Sequence, residues 1–549
     1  MANDNKQKIV SQEETFSYNS DWRDLMEHEE FKNELKEDIL ENYIIHQRWY
    51  AAKSSTLKYI DIIDHFKIEN DEGDCFFGIV IEVNFKEAFV QNYFLPIGLV
   101  GNPDYVENNY IAQLQLNDKS AYLVDALLLE SFRELIFQKI MEGSKDKYPN
   151  IEYRKGRKCE SQDYKTSKFL GVEQSNTSIV YNDTFILKFF RRVYIDQNPD
   201  YEISKYLTNK GHFKNTPGYS GSITLRFSDK NVITLALMQE LIPNEGDAWE
   251  YFLKNLKEAF FKANEIDEDT DQLEKLHPFD QINSDQVNEN VLKFCDKSFF
   301  EDVEKLAYRT AQMHVSLGLE RISTAFTPSA YSYDYKVWLK NRLMYMLDNR
   351  INLLENSLHK LEGVRLELAQ EILANKKEIR KRFLDFDETL LKSERIRIHG
   401  DYHLGQVLVR DRDFYVIDFE GEPESTIRDR KVKQPPIKDV AGMFRSFNYA
   451  VYSIVFTYQK ELNLPLEKLS HIADVIYSNM VAVFLNTYIN EVQTNNLNIG
   501  YNKEIQFLLQ YCLLEKAVYE LGYELNARPR WTIIPLKGIS NILNDHTNE

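Results

Sequence analysis

A predicted β-hairpin carries polar residues at its open end that suit the transfer of a phosphoryl group. Its apolar strands, residues 407–409 and 414–417, are joined by a charged turn, and folding the hairpin brings Asp401, Gln406 and Asp418 into one neighbourhood. Phosphoryl transfer needs a carboxylate that orients and deprotonates the attacking hydroxyl, and oxygen ligands for magnesium on the nucleotide phosphates. We therefore expect Asp401 to be the catalytic base, and Gln406 and Asp418 to bind Mg²⁺.

The spacing within this segment distinguishes it from a surface hairpin with ordinary turn carboxylates. Gln406 follows Asp401 by five residues, the separation of Asp and Asn in the protein-kinase catalytic loop H-R-D-x-x-x-x-N. A single Asp in a turn would favour a surface hairpin without a catalytic role, whereas three groups at the required separations favour catalysis. In the same segment, His403 either supports the loop by hydrogen bonding or contacts the substrate, and Glu420 contacts either magnesium or the substrate.

An apolar strand at residues 185–190 contains one lysine, Lys188. A charge inside an apolar strand costs free energy unless it is paired, and kinases use such a lysine to bind the α- and β-phosphates of ATP. Glu202, fourteen residues later in a predicted helix, is the expected partner of the ammonium group. The alternative is a lysine whose apolar stem packs in the strand while its ammonium group reaches solvent.

Two further segments are expected to bind the nucleotide. Segment 171–178 lacks the G-x-G-x-x-G pattern of a phosphate-binding loop, but hydroxyl and backbone N–H groups in such a segment are able to bind phosphates; the alternative is an ordinary polar loop. Segment 238–243 joins a strand to a helix and is expected to pair with adenine through its backbone. The residues expected to contact ATP in these segments are Ser175, Asn176, Thr177, Ser178, Gln239, Glu240 and Leu241.

The elements that must position these residues form a β-rich part followed by a mostly helical part, which predicts an α+β fold. We expect a disordered N-terminus at 1–20, a β-rich cap domain at 21–145, a β-rich ATP-binding subdomain at 146–247 and a helical catalytic and substrate-binding lobe at 248–549. The charged segment 344–392 is interpreted as a pair of solvated helices. This is the layout of a bilobal, protein-kinase-like fold.

Composition limits the kind of protein and its location. The chain has 549 residues, 43% of them hydrophobic and 28% charged, which is typical of a soluble globular protein. The net charge of −19 argues against nucleic acids or an anionic membrane as partners. No signal-peptide pattern opens the sequence, and no uninterrupted apolar run approaches the roughly 20 residues of a membrane helix. We therefore expect a cytoplasmic protein.

With these residues placed, the sequence resembles the bacterial maltokinases of the aminoglycoside-phosphotransferase and protein-kinase-like superfamily. The most specific likenesses are the hairpin segment 399–423, the Lys-Asp-Val-Ala-Gly-Met segment at 438–443 and the C-terminal segment 514–539. The resemblance implies an aminoglycoside-phosphotransferase-like fold, ATP and Mg²⁺ as cofactors, and conversion of maltose to maltose 1-phosphate in glycogen and trehalose metabolism. It also implies trehalose synthase as a partner.

A predicted helix in the C-terminal segment has a polar, aromatic face formed by residues at i, i+3, i+4 and i+7. Aromatic rings pack against the C–H faces of sugars, and charged groups bind sugar hydroxyls. Composition alone favours a tyrosine-rich packing stripe with an internal Lys–Glu pair, whereas the resemblance favours a sugar site. The residues expected to contact the substrate are His403, Glu420, Lys516, Tyr519, Glu520 and Tyr523.

Two other functions compete with a maltose kinase. A kinase of another sugar or amino sugar, such as glucosamine, would share the hairpin and the nucleotide residues but differ around residues 516–524. A non-catalytic, kinase-like scaffold that binds trehalose synthase would have no need of the lysine and the three hairpin groups. A protein kinase is the weakest alternative, because no A-P-E segment follows Asp418 and the D-F-G triplet is absent.

Overall fold

A computed structural model describes residues 15–70, 72–143, 150–170, 176–229, 231–265 and 273–544. These residues form two compact units. Unit 1 comprises the described residues within Met1–Lys205 and Pro217–Ile242, and unit 2 those within Tyr206–Thr216 and Pro243–Glu549.

Unit 1 is built mainly of strands. Its strands are β1 (Thr15–Tyr18), β2 (Leu57–Glu69), β3 (Cys75–Phe85), β4 (Val90–Val100), β5 (Ala112–Leu116), β6 (Lys119–Asp125), β7 (Ile151–Lys155), β8 (Ser167–Phe169), β9 (Asn176–Tyr181), β10 (Phe185–Phe190), β11 (Arg192–Val193), β12 (Tyr219–Arg226) and β13 (Val232–Glu240). Its helices are α1 (Trp22–Leu25), α2 (Glu29–Glu34), α3 (Leu40–Ile44), α4 (Glu130–Glu142) and α5 (Pro199–Tyr206), the last of which ends at the start of unit 2.

The first sheet of unit 1 has the order β1-β5-β6-β4-β3-β2, with β11 paired to β4. β1 pairs in parallel with β5, and the other neighbours are antiparallel. Disorder was predicted for residues 1–20, but Thr15–Tyr18 form a strand; residues 1–14 lie outside the described part of the chain. The alternating sequence of β1 buries Tyr18, whose ring packs edge-on against Phe31 at 5.3 Å, and this contact holds the segment on the sheet.

The second sheet of unit 1 is antiparallel, in the order β7-β12-β13-β10-β9-β8. The two sheets share one hydrophobic core, in which Phe94 of the first sheet stacks on Phe189 of the second at 6.4 Å. The chain also passes directly from β10 in the second sheet to β11 in the first. The sequence predicted a domain boundary near residue 145, whereas in the structure both β-rich regions belong to one compact unit.

Unit 2 is built mainly of helices. Its helices are α6 (Ala248–Glu265), α7 (Glu289–Leu292), α8 (Lys297–Leu317), α9 (Tyr333–Ser357), α10 (Val364–Ala374), α11 (Lys376–Leu384), α12 (Ile427–Arg430), α13 (Ile437–Leu462), α14 (Leu466–Thr494), α15 (Asn502–Ala527) and α16 (Ile533–Asn544). Its strands form two short pairs: β14 (Ser329–Ala330) with β15 (Glu394–Arg395), and β16 (Val407–Arg410) with β17 (Asp413–Val416).

The long helix α13 lies at the centre of unit 2 and packs against α6, α14 and α15. It begins directly after Pro436 and ends at Asn463, which has a left-handed backbone; proline suits a helix start and asparagine tolerates the left-handed end. The β16–β17 hairpin packs against α6 and α8, with Phe414 stacked on Phe252 at 6.0 Å. The apolar faces of these helices therefore fix the hairpin expected to carry the catalytic groups.

One described helix, α14, is long and apolar enough to cross a membrane by length and composition alone. However, 72% of its most apolar 18-residue window is buried inside the structure. This burial is typical of a core helix in a globular protein.

Candidate active site

The β16–β17 hairpin sets the positions of the residues on either side of it. Its two-residue turn, Asp411–Arg412, has positive φ angles of 51° and 56°, the pattern of a type I′ turn that matches the twist of the strands. Val407 pairs with Val416, and one step further the N–H of Ile417 donates to the carbonyl of Gln406 at 3.0 Å. The predicted catalytic loop before the hairpin, residues 399–406, and the loop after it therefore meet at one end, as the sequence predicted.

The predicted catalytic loop is held by Asp439 in the first turn of α13. This buried carboxylate accepts hydrogen bonds from the backbone N–H groups of His399 at 2.8 Å and Gly400 at 2.9 Å, and lies 3.0 Å from Nε2 of His314. Burial raises the pKa of Asp439, but the contacts with His314 and the backbone outweigh it and hold this pKa below its usual range. Asp439 is therefore a charged brace for the loop.

Helix α13 also approaches the loop closely at Gly442. A methyl group at this position would lie 2.7 Å from the carbonyl oxygen of Tyr402, which is too short for a carbon–oxygen contact. The hydroxyl of Tyr402 lies 2.8 Å from that of Thr310 in α8. Position 442 therefore requires glycine, because any side chain there would collide with the backbone of Tyr402.

Asp401 and Lys516 form the central ion pair of unit 2. Oδ1 of Asp401 lies 3.3 Å from Nζ of Lys516, and each side chain is 22% exposed. Burial by itself lowers the pKa of Lys516, but the charges of Asp401 and Glu422 outweigh it and raise this pKa above its usual value. Lys516 is therefore an ammonium group. A pocket beside this pair is lined by Gly400, Tyr402, Glu422, Lys438, Asp439, Gly442, Cys512, Glu515, Lys516 and Tyr519.

The two predicted magnesium ligands lie next to each other at the end of the hairpin. Nε2 of Gln406 donates to Oδ2 of Asp418 at 3.2 Å. Asp418 has a left-handed backbone with φ of 64°, which is uncommon outside glycine, asparagine and aspartate and is often found at functional sites. An amide and a carboxylate side by side provide the hard oxygen donors that Mg²⁺ prefers.

An ion network that the sequence analysis did not predict surrounds the Lys516 side of the pocket. Arg342 of α9 forms hydrogen bonds to Glu422, at 2.6 Å, and to Glu515. Nζ of Lys438 lies 2.7 Å from Oε1 of Glu515. Burial raises the pKa of Glu515, but Lys438 and Arg342 more than compensate and lower it to about 2. The sequence contains one local indication of this network: Glu515, next to Lys516, is an acidic residue on the packed side of a predicted helix.

The predicted sugar-binding face of α15 is divided between different surroundings. Lys516 and Tyr519 line the pocket at Asp401, with Nζ of Lys516 5.0 Å from the centre of the Tyr519 ring. Glu520 is buried and accepts hydrogen bonds from Arg445 at 2.7 and 2.9 Å, and Tyr523 is 53% exposed. The structure therefore brings two of the four residues to Asp401, because α13 covers the part of the face that carries Glu520.

The other two predicted substrate residues lie in the hairpin loops. Nδ1 of His403 accepts a hydrogen bond from the N–H of Gly405 at 3.1 Å and so caps the 3₁₀ turn Leu404–Gln406. Burial lowers the pKa of His403, which favours the neutral ring. The carbonyl of Glu420 accepts a hydrogen bond from Arg430 at 3.4 Å. The contacts of His403 match the supporting role that the sequence analysis gave as one of its two interpretations.

In unit 1, Lys188 lies in β10 with Asp200 as a carboxylate partner. Nζ of Lys188 lies 3.2 Å from Oδ2 of Asp200, whose side chain has no exposed surface. The N–H of Asp200 donates to the side chain of Asn198 at 2.8 Å, and the hydroxyl of Ser204 donates to Oδ1 of Asp200 at 3.2 Å. The predicted partner was Glu202, two residues further along α5; the sequence analysis missed Asp200.

The segment before the lysine strand is described from Asn176 onward; Ser175 lies outside the described residues. Asn176, Thr177 and Ser178 open strand β9, and Ser178 stands directly across from Lys188. The hydroxyl of Thr177 accepts a hydrogen bond from Nε of Arg191 at 2.8 Å. The start of β9 is thus anchored to Arg191, which directly follows β10.

The expected adenine-binding segment, Gln239–Leu241, uses much of its polar capacity within unit 1. The side chain of Gln239 donates to Ser204 at 3.1 Å. The N–H of Glu240 donates to the carbonyl of Gly218 at 2.9 Å, and that of Leu241 to the carbonyl of Thr184 at 2.8 Å. Adenine recognition at this segment would therefore use groups other than these two N–H groups, a detail that the sequence analysis did not anticipate.

Comparisons with known proteins found glucosamine kinases among the relatives of this chain. No protein-family model matches the chain. The glucosamine kinase of Streptacidiphilus jiangxiensis is 23% identical over 374 residues, which cover 68% of this chain and 72% of that protein. The glucosamine kinase of Mycolicibacterium smegmatis is 26% identical over 150 residues, or 27% of this chain and 35% of that protein.

Solved structures agree with these relatives in fold. A glucosamine kinase in complex with glucosamine, ADP and inorganic phosphate matches with a TM-score of 0.61 and 16% identity, over 96% of this chain and 100% of that chain. A second crystal form of glucosamine kinase matches with a TM-score of 0.62. The chain therefore has the α+β, kinase-like phosphotransferase fold predicted from its sequence, with a β-rich N-terminal part and a large helical C-terminal part.

Proposed function

We propose that this chain is an ATP-dependent kinase that phosphorylates a hydroxyl of a small sugar, with an amino sugar such as glucosamine as the favoured acceptor. The observation that carries the proposal is the Asp401 site in unit 2. There, the Asp401 carboxylate is paired with the partly buried Lys516, and Lys516 lines a pocket beside this pair. The Gln406–Asp418 pair lies at the end of the hairpin that follows Asp401. This combination of groups is the one that phosphoryl transfer requires.

In the proposed reaction, Asp401 orients the acceptor hydroxyl and takes its proton as the oxygen attacks the γ-phosphorus of ATP. The bond from the γ-phosphorus to the bridging oxygen breaks, and ADP leaves with that oxygen. Lys188 binds the α- and β-phosphates, with Asp200 holding its ammonium group. Lys516 fixes the direction of the Asp401 carboxylate.

Gln406 and Asp418 are the residues that would hold Mg²⁺. Their amide and carboxylate groups lie within 3.2 Å of each other, and this donor set fits a hard divalent cation. When bound, Mg²⁺ neutralises charge on the phosphate oxygens.

An amino sugar is favoured over maltose by the relatives at 23% and 26% identity, which are glucosamine kinases. Maltose as acceptor and trehalose synthase as partner rest on the resemblance to maltokinases, and both stay predictions.

A substrate panel tests the proposal directly. The protein is incubated with ATP, Mg²⁺ and, separately, glucosamine, N-acetylglucosamine, glucose and maltose, and products are identified by mass and by NMR. We expect phosphorylation of glucosamine and little of N-acetylglucosamine, which lacks the ammonium group. Turnover of maltose without glucosamine would favour the maltose alternative instead. If no sugar consumes ATP, the proposal fails and a non-catalytic scaffold is favoured.

A further inference from the structure

Helix α9 contacts the loop that follows the magnesium ligand Asp418. Nε1 of Trp338 donates to Oδ1 of Asp429 at 2.7 Å, NH2 of Arg342 donates to Glu422 at 2.6 Å, and NH2 of Arg350 donates to Glu424 at 2.8 Å. The three donors follow one another at intervals of four and eight residues, which keeps them on one side of the helix. Helix α9 therefore has a polar side that binds this region. Of the three donors, Arg350 lies in the segment 344–392 that was interpreted as solvated helices, and Trp338 and Arg342 precede that segment.

Arg342 connects this loop to the helix that carries Lys516. Its guanidinium group is bound to Glu422 of the loop and to Glu515 of α15, and the side chains of the three residues are 19%, 12% and 6% exposed. A guanidinium group has donors directed to two sides and is therefore able to bind two carboxylates at once. Burial opposes the charge of Arg342, but Glu515 and Glu422 outweigh this effect and raise its pKa further.

Arg342 binds two carboxylates that lie beside Lys516. In the proposed reaction, Lys516 has to stay paired with Asp401 instead. Glu515 precedes Lys516 in α15, and Glu422 lines the same pocket as Lys516 and stabilises its positive charge. Glu515 has a second cation, Lys438, at 2.7 Å. Without Arg342, Glu422 would therefore be the carboxylate most able to draw the ammonium group of Lys516 away from Asp401.

We propose that Arg342 is a positioning residue for the acceptor side of the reaction: by engaging Glu422, it leaves Lys516 paired with Asp401. This inference rests on the proposed kinase function. It assigns a role to α9, and it predicts that Arg342 acts through Glu422 rather than by contact with the substrate.

A double-mutant cycle between Arg342 and Glu422 tests this coupling. We expect Arg342→Met to lower kcat/KM for the acceptor sugar about tenfold to a hundredfold, the size expected when a catalytic group is misplaced by about 1 Å, with KM for ATP unchanged. In Arg342→Met/Glu422→Gln, the neutral glutamine no longer competes for Lys516, so most of the lost kcat/KM should return. A merely structural role for Arg342 would make the loss of kcat/KM follow the loss of thermal stability across the variants, because an unpaired buried Glu422 destabilises the fold and Glu422→Gln relieves that as well. That result, or the absence of any rescue by Glu422→Gln, would overturn the proposal.

Two further variants keep the test decisive. If Arg342→Met does not fold, as judged by circular dichroism and thermal melting, Arg342→Lys keeps the charge but loses the forked geometry; it should show a smaller loss that Glu422→Gln also relieves. Arg380→Met, in α11, removes an exposed ion pair to Asp348 of α9, with side chains 43% and 53% exposed. It should leave all kinetic constants unchanged, and an equal loss in this control would contradict a specific role for Arg342.

The outcome also separates this inference from the proposed function. Wild-type protein that phosphorylates no sugar would refute the kinase. An active wild type with an unaffected Arg342→Met variant would refute only the role of Arg342.

Discussion

Each unit contains a lysine–carboxylate pair of almost equal length, but the two pairs are built differently. In unit 1, Lys188 and Asp200 are 3.2 Å apart, with side chains 15% and 0% exposed. In unit 2, Lys516 and Asp401 are 3.3 Å apart, and each side chain is 22% exposed. The partners are separated by 12 residues in the first pair and by 115 in the second.

The exposure of the carboxylate differs between the two pairs in line with the role proposed for each carboxylate. In the proposed nucleotide site the lysine does the binding, and its carboxylate is enclosed and fixed by Asn198 and Ser204. In the proposed acceptor site, the carboxylate of Asp401 is the reacting group, and Lys516 fixes its orientation. A base has to stay accessible to the incoming hydroxyl, whereas a structural counter-ion does not. The greater exposure of Asp401 than of Asp200 agrees with the roles proposed for them.

The largest effect is expected for Asp401→Asn, which keeps the shape of the side chain but removes the proton acceptor. We expect kcat for sugar phosphorylation to fall about 10²- to 10⁴-fold, the usual contribution of a general base. ATP binding by calorimetry and the thermal melting temperature should be close to those of the wild type. Near-wild-type turnover in a folded variant would mean that Asp401 is not the base, and the comparison between the two pairs would lose its functional meaning.

A second large effect is expected for Lys188→Met, which keeps the apolar stem in β10. Without the ammonium group, we expect kcat/KM for ATP to fall about 10²- to 10³-fold, the loss typical of removing one electrostatic contact to the reacting group. Steady-state kinetics at saturating acceptor should show the fall in kcat/KM for ATP. The KM for the sugar should be little altered. If instead only the sugar KM changed, the lysine of unit 1 would belong to the acceptor side, contrary to the proposal.

The sequence revealed the parts of these sites that are set by local spacing. Asp401, Gln406 and Asp418 belong to one hairpin, so turn and strand patterns were enough to bring them together. Lys188 was identifiable because a charge in an apolar strand demands a partner. The fold class followed from the order of β-rich and helical segments.

The partners of these residues were harder to predict, for physical reasons. Asp200 and Glu202 are both acidic residues in the first turn of α5, and positions two residues apart point about 200° apart around a helix. Which of them faces Lys188 depends on how α5 is rotated against the sheet, and spacing does not contain that information. Arg342 lies 80 residues from Glu422 and 173 from Glu515. Its neighbours depend on tertiary packing, and spacing along the chain does not contain that information.

The pair in unit 2 is sharpened by comparing Lys516→Met with Lys516→Arg. Methionine removes the charge that directs Asp401, and we expect kcat/KM for the acceptor to fall about tenfold to a hundredfold. Arginine keeps the charge and should retain much more activity, although its bulk shifts the pocket. Product formation at varied sugar concentration measures both. Equal losses in the two variants would indicate that Lys516 contributes shape rather than charge.

The smallest effect is expected for an ion pair that lacks burial. Lys168 of β8 pairs with Asp183, and their side chains are 66% and 69% exposed. Exposed pairs contribute about 0–1 kcal/mol, because water and salt screen the charges. We therefore expect Lys168→Met to leave kinetic constants unchanged and to alter the free energy of unfolding, measured in urea, by about 1 kcal/mol or less. A fall in kcat/KM for ATP as large as that of Lys188→Met would show that proximity to the nucleotide strand, rather than burial of the pair, decides the effect. The distinction between enclosed and accessible pairs would then be wrong.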